Sequence, residues 1–510
     1  MKKALRIALV LVLALALCAQ GSADPETLTV EDMRGKTIGN ITGGITATLI
    51  TDYFDGDLTL AYFNSNVDTA LALNAGKIDA YMIDMYAARD MCRAYEGQYI
   101  LEPKISSAPA GFLFRKNDEA SAALRTQINE YLADIRADGT WQEVYDIWMN
   151  YDEEKKVVDM PASGQNGTLI MGSSSNIGNP FCYMKNGSLV GFEIDLAARF
   201  CRAYGYGLQV VDYDIGALVS AVVSGKVDFA GDSIMQTPAR LESVDFSDET
   251  CEMGFVLVTK RSDADASGGT DRSFFDTLKS GFVRTFAEEG RFLLFLSGAA
   301  TTLLVVVLSI LFGSALGLGV FLLCRGGNKA VNRVTDFFSW LIHGMPVVVL
   351  LMILYYIVFG SSKISGTLVS IMAFSLVFAV GVVAMLRSGT AAVDPGQTES
   401  ALALGYTERA AFFRLILPQA ASHCMPTFKA EVVSLIKATA VVGYIAVQDL
   451  TKVSDLIRSR TYEAFFPLIV TAVLYFLLAG ALNRLVGLAE RRLNTRQRSR
   501  EQILRGAVLK

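Results

Sequence analysis

The sequence predicts a mixed fold: a two-lobed α/β unit followed by an all-α membrane unit of about five spans. Three observations carry this. The 510 residues are 52% hydrophobic with mean hydropathy +0.36, too apolar for a purely soluble chain and too polar for one wholly within a bilayer. Runs near the ~20 apolar residues that a bilayer crossing needs cluster after residue 291. Before it, short strand-like and helix-like runs alternate, and a Gly-Lys-(Ile or Val)-Asp tetrad occurs twice, at 76–79 and 225–228.

Residues 1–23 read as a secretory signal, with Lys2, Lys3 and Arg6 ahead of an apolar core and Gly21-Ser22-Ala23 as a small-residue cleavage site. Cleavage before Asp24 is favoured over a retained anchor because the apolar run is short for a span. Residues 24–150 form the first α/β unit. A strand over 81–83 ends at Asp84, and helical periodicity runs through 125–135 and again through an aromatic stretch at 139–148. A linker, 151–165, leads to the second unit, 166–262. There Asn179-Pro180-Phe181-Cys182-Tyr183 is a loop and Gly191 opens a helix. Residues 263–291 are a polar linker and a pre-membrane helix. Apolar spans are expected at 292–324, 337–359, 364–386, 428–447 and 465–488, and a basic tail at 491–510. Arg325, Lys329 and Arg333, then Arg387, Arg409 and Arg414, then Arg491 and Arg492 follow alternate spans. The excess of positive residues places them in the cytoplasm and the α/β units outside, in agreement with the signal.

Composition also excludes classes. A net charge of −5 gives no basic field for nucleic acid. The seven cysteines lack zinc spacing, and the two histidines, His343 and His423, both sit near spans. No nucleophile–base or metal constellation supports an enzyme, and no G-x-x-x-x-G-K-[ST] loop is present. Cys92, Cys182, Cys201 and Cys251 would face an oxidising compartment, with no pairing readable from sequence.

The connector between the third and fourth spans, 396–418, is longer and less polar than such loops usually are. Residues 397–404 suit a short helix, Gly405 its left-handed cap, and Thr407 the cap of a second helix running to Pro418. The pattern leaves open a compact knob or an amphipathic strip lying on lipid. Glu399, Ser400, Ala401, Gly405 and Leu415-Ile416-Leu417-Pro418 resemble the coupling loop of ABC importer permeases of the polar amino-acid family, where that loop docks on the ATPase subunit. The resemblance continues through Leu435-Ile436-Lys437, Gln448-Asp449-Leu450 and Glu490-Arg491-Arg492-Leu493. It implies a permease domain over 292–490 and pairing of two permeases, as a homodimer or with a related chain. It also implies two copies of a separate ATPase subunit that uses the ATP, this chain binding no cofactor.

A second resemblance covers the α/β region. Residues 179–183, 191–200 and 224–248 are similar to the first lobe of periplasmic amino-acid-binding proteins. Residues 32–44, 76–84 and 138–148 are similar to the second lobe and its C-terminal return. The lobes stand in reverse order, so one circularly permuted domain joined through 151–165 is expected, two incomplete domains being the other reading. The resemblance puts the ligand's α-carboxylate on Arg240, which follows Thr237-Pro238, and its ammonium on Asp84. The plain alternatives are a surface arginine paired with Glu242 or Asp245, and a helix N-cap. Phe181 and Tyr183 could wall the ligand's side chain or fill the lobe core, and Thr46 could add a helix N-terminus. Met235 stands where that family has a hydroxyl, and Gly44-Ile45 where it has a Thr-Gly-like pair. In the membrane region Lys437 and Thr439 are the candidate path residues, Lys437 alternatively snorkelling to an interface. Ala438 and Ala440 replace Asp and Ser there, and His343-Gly344-Met345-Pro346 replaces Arg-Gly-Thr-Pro.

The expectation is therefore a non-enzymatic permease subunit of an ATP-driven importer in a bacterial inner membrane, surrounded by lipid. A fused extracytoplasmic domain would take a polar amino acid or a similar small solute. A ligand-gated channel or a solute receptor are the other readings. The first needs a pore loop, and the second an output domain longer than 494–510.

Overall fold

The computed structural model describes residues 28–42, 45–149, 153–175, 177–261, 279, 281–360, 362, 364–463 and 465–493. The expected signal, most of the 263–291 linker, Gly44 and the tail beyond 493 lie outside the described residues.

The first α/β segment runs β1 (Thr37–Ile41), α1 (Thr46–Tyr53), β2 (Thr59–Phe63), α2 (Asn66–Asn74), β3 (Ala80–Asp84), α3 (Met85–Ala94), β4 (Gln98–Ala110), β5 (Leu113–Arg115), α4 (Glu119–Ala137) and α5 (Thr140–Met149). The second runs β6 (Thr168–Ser173), β7 (Tyr183–Lys185), β8 (Ser188–Val190), α6 (Phe192–Ala203), β9 (Gly207–Asp212), α7 (Leu218–Val223), β10 (Phe229–Ala230), α8 (Pro238–Ser243), β11 (Val244–Phe246) and β12 (Cys251–Lys260).

These strands form two five-stranded sheets of equivalent order, β2-β1-β3-β12-β4 and β9-β6-β10-β5-β11. In each, a central strand has parallel neighbours on both sides, and the fourth strand runs antiparallel and comes from the other segment. The chain thus crosses between lobes twice, at 111–112 and 247–250. The repeated tetrad explains part of the equivalence. Gly76 and Gly225 take φ of +65° and +73°, which a side chain would strain, and turn the chain out of a helix. Asp79 Oδ2 then accepts from Thr37 N at 2.8 Å, and Asp228 Oδ2 from Ile170 N at 2.7 Å, tying each turn to its central strand. The helix α5 packs on α6 of the second lobe, and Trp148 Nε1 donates to Asp195 Oδ2 at 3.0 Å.

The helical unit contains α9 (Phe292–Arg325), α10 (Lys329–His343), α11 (Val347–Met352), α12 (Gly366–Ala391), α13 (Pro395–Ala403), α14 (Glu408–Ala411), α15 (Leu417–Ala438), α16 (Leu450–Thr461) and α17 (Phe465–Leu493). Among the described residues three helices are long and apolar enough to cross a membrane, and up to five crossings result if each bent pair is one. The expected continuous span 337–359 is broken. Residues 329–343 and 347–358 meet at 107°, because Gly344 caps the first piece and Pro346 lacks an N–H with which to continue it. The expected span 428–447 belongs to a longer piece, 408–445, followed at 54° by α16. Helices α9 and α12 pack closely. A methyl group on Gly313 would lie 2.8 Å from Ser375 O, and one on Gly317 2.7 Å from Ala379 O, so this small-residue pair sets their approach. Phe359, Ser362 and α16 meet the α/β unit, whereas Arg325, Arg387 and α13–α14 gather at the far end.

Candidate functional site

Three places combine chemistry with geometry. The first is a cavity of about 80 Å³ between the lobes, lined by Thr46, Asp84, Asp232, Met235, Arg240 and Phe255 among others. Thr237 Oγ1 accepts from Arg240 N at 3.3 Å and caps α8, so Thr237 supports the arginine without lining the cavity. The half-buried guanidinium donates through Nη1 to Met235 O at 3.0 Å. No carboxylate pairs with it among the described residues, and Asp245 is instead held by Arg125 at 3.2 Å. Opposite, Asp84 caps α3, its Oδ1 accepting from Tyr86 N at 3.0 Å and Ala87 N at 2.8 Å. The cap and the cavity position coexist in one carboxylate. Burial pushes its pKa up to about 7, against the pull of the two N–H groups. Thr46 is buried, and its hydroxyl has no hydrogen-bond partner among the described residues.

Phe181 and Tyr183 are fully buried outside that lining. Phe181 meets Tyr86 edge-on at 5.8 Å. Tyr183 donates its hydroxyl to Glu153 at 3.1 Å, beneath the Arg460 guanidinium at 4.7 Å. Asp232 and Ser233 escaped the sequence reading. The repeat held the signal: counted from the tetrad glycine, Asp84 falls level with Ser233, one residue past Asp232. Glu193 lies behind them, accepting from Ser233 N at 2.6 Å and paired with Thr250, its carboxyl raised by burial to about 7.

The second place is α16. Lys452 Nζ lies 2.9 Å from Asp214 and 3.6 Å from Asp212, both in the second lobe. Arg458 pairs with Asp68 of the first lobe, and Arg460 lies 3.2 Å from Glu153 of the joining segment. Lys226, the tetrad lysine of the second lobe, donates to Phe359 O at 2.7 Å and Ser362 O at 2.9 Å, and Tyr213 meets Tyr355 at 3.0 Å. The matching Lys77 of the first lobe is exposed. These pairs join residues more than 130 apart, so no local pattern announces them.

The third is the 396–418 connector. It folds as α13, a bend at Gly405 with φ +83°, and α14 capped by Thr407. The second helix does not end at Pro418. It passes through a π-turn, Phe412–Ile416, into α15, where Pro418 sits in the first turn, the one place its missing N–H is harmless. Ala401 and Phe412 are buried, and the Arg325 guanidinium stacks 3.8 Å over the Phe412 ring. Glu399, Ser400, Leu402, Leu404, Gly405, Phe413 and Pro418 are exposed, and Leu415 is half-buried. Leu404 is 78% exposed, which marks an apolar tip with no partner among the described residues.

Lys437 and Thr439 do not meet. Lys437 is exposed beside Lys429, Ser434 and Asn483, whereas Thr439 is buried and donates to Ile436 O at 2.8 Å within its own turn. Among the described residues no group of three His, Cys, Asp or Glu could hold a metal, and the described cysteines are unpaired.

Residues 309–495 match the family described as binding-protein-dependent transport system inner membrane component. Over 206 residues the chain is 32% identical to the arginine transport system permease protein ArtQ of Bacillus subtilis (strain 168), covering 39% of this chain and 92% of that one. The chain belongs to the family of binding-protein-dependent transport system inner membrane components. The nopaline transport system permease protein NocM of Agrobacterium fabrum is 28% identical over 219 residues, 40% of this chain and 90% of that one. A crystal structure of an amino acid ABC transporter with histidines superposes with a TM-score of 0.38 at 30% identity, over 44% of this chain and all of that one. The permease is thus an integral inner membrane protein, and its family match contains both α16 and the Gly405 knob.

Proposed function

We propose that this permease carries its own solute-binding domain, a circularly permuted one, and works as the membrane subunit of an ATP-driven importer of amino acids. One observation carries the reading: α16, a helix within the family-matched region, is ion-paired to both lobes of the α/β unit at once. A helix so placed senses whether the lobes are closed and passes that to the spans. The equivalent strand orders of the two lobes support the permutation, since either lobe can then come first in the chain. Arg240 takes the ligand's carboxylate in this reading. The α/β unit stands outside the cell, and the Gly405 knob enters an ATPase subunit on the cytoplasmic side. Two permeases and two ATPase subunits make the working unit, with the exposed polar face around Lys437 turned toward the paired permease rather than to lipid.

The test is cross-linking from the knob in native membranes. Leu404→Cys is expected to give a single adduct with an ATP-binding subunit. Transport of amino acids into vesicles of those membranes is expected to require ATP. Adducts with lipid alone, or ATP-independent flux, would overturn the reading.

A further inference from the structure

The interlobe cavity holds one group that the reading above leaves unused. Asp232 is 1% exposed and lines the cavity, and neither of its carboxylate oxygens has a hydrogen-bond partner among the described residues. The Ser174 N–H lies near enough to ease the charge without reaching hydrogen-bond geometry. Burial pushes the Asp232 carboxyl well up, and Glu193 and Asp212 add to that. A buried carboxylate without a partner is costly and persists where something other than stability keeps it. The rest of the cavity points to what that is. Asp84 lies across the same space with one oxygen committed to the α3 cap. The remaining walls are mostly apolar, Ile41, Ile45 and Phe255 among them, with Thr46, Asn66 and Ser233 as the other polar residues. On the carboxylate side, Arg240 is already bonded to Met235 O, and the Met235 side chain offers no hydroxyl. Two acids facing one guanidinium in an apolar chamber weight recognition toward a ligand's positive end.

We propose that Asp232 binds the ammonium group of the transported solute, and that the site selects a small primary ammonium on an apolar body, with the solute's carboxylate secondary. This rests on the solute-binding reading of the α/β unit. At about 80 Å³ the cavity suits a few heavy atoms, well below the ~300 Å³ at the lower end of ordinary ligand pockets.

The test uses the full chain in detergent micelles with radiolabelled L-alanine, and with ethylamine and propionate as competitors. Ethylamine is expected to displace L-alanine, and propionate is not. Asp232→Asn is expected to weaken L-alanine binding about 30-fold or more, while raising the melting temperature of the ligand-free protein by about 2 °C or more. A residue kept only for structure would lower that temperature. Unchanged L-alanine binding in Asp232→Asn, a lowered melting temperature, or propionate outcompeting ethylamine each overturns the proposal. Binding of larger amino acids but not of L-alanine overturns this ligand class alone. Binding of no amino acid overturns the solute-binding reading with it.

Discussion

Asp84 and Glu193 are carboxyls that burial has lifted to about 7, from ordinary values near 4. A raised acid means that the folded state holds more protons than the unfolded one, so its contribution to stability is full below the unfolded value and is lost as pH rises through the folded value. The α/β unit is therefore expected to melt at a higher temperature at pH 5 than at pH 8. Glu193→Gln should flatten that dependence, a measurement open to scanning calorimetry. Solute affinity should run the other way, since protonating Asp84 removes a partner for an ammonium. A binding isotherm that strengthens on acidification would contradict the role given to Asp84. For Arg240→Ala we expect affinity to fall about 10-fold, less than for Asp232→Asn, through the loss of one charge-assisted hydrogen-bonding group, with little change in melting temperature because no carboxylate is left behind. That Arg240 and Asp84 would line one cavity was legible through the resemblance, which rests on the runs around the Thr237-Pro238 cap and the Ala80–Asp84 strand. Asp232 was missed: the tetrad repeat marks its place, but its want of a partner shows only in the folded surroundings.

At the scale of elements, the knob depends on one glycine. Gly405 at φ +83° lets α13 turn back toward α14, and a β-branched residue there costs about 1–2 kcal/mol and misdirects the tip. Gly405→Val is expected to lower transport at least tenfold while leaving solute binding at the wild-type value. Loss of both together would point to a folding defect instead. The two short helices and the bend at Gly405 could be read from sequence because capping and left-handed turns are decided within a few residues, whereas the choice of a knob over a strip on lipid came from the resemblance. The second crossing could not be read whole. Hydropathy sums side chains and ignores the backbone, so it ran through Pro346, where the helix turns by 107°. The same blindness placed the end of the fourth crossing at residue 447, although the regular helix gives way to 3-10 turns from Thr439.

Across the whole molecule, α16 is the part that holds membrane and α/β units in register. One of its pairs is nearly dry, the Lys452 side chain being 3% exposed and that of Asp212 1%, and Arg458, 7% exposed, meets a partly exposed Asp68. Removing one partner of such a pair typically costs about 3–5 kcal/mol, mostly from the charge left behind. Arg458→Asp is expected to abolish solute-stimulated ATP hydrolysis. Combining it with Asp68→Arg should restore a substantial part, and a double variant no better than the single would sink the assignment. Sequence revealed that both units exist and the order of their pieces. It was silent on their mating surfaces, which draw on Asp68, Glu153, Asp212 and Asp214 from distant stretches. The covalent join between β12 and α9 has its own consequence on the proposed reading. A diffusing carrier must find its transporter by collision, and its abundance can be tuned separately. Here carrier and pore are made one to one, and the carrier's local concentration at its docking helix is that of a tethered ligand, in the millimolar range. Uptake should then saturate with the number of transporters in the membrane, and a loaded carrier has nowhere else to go.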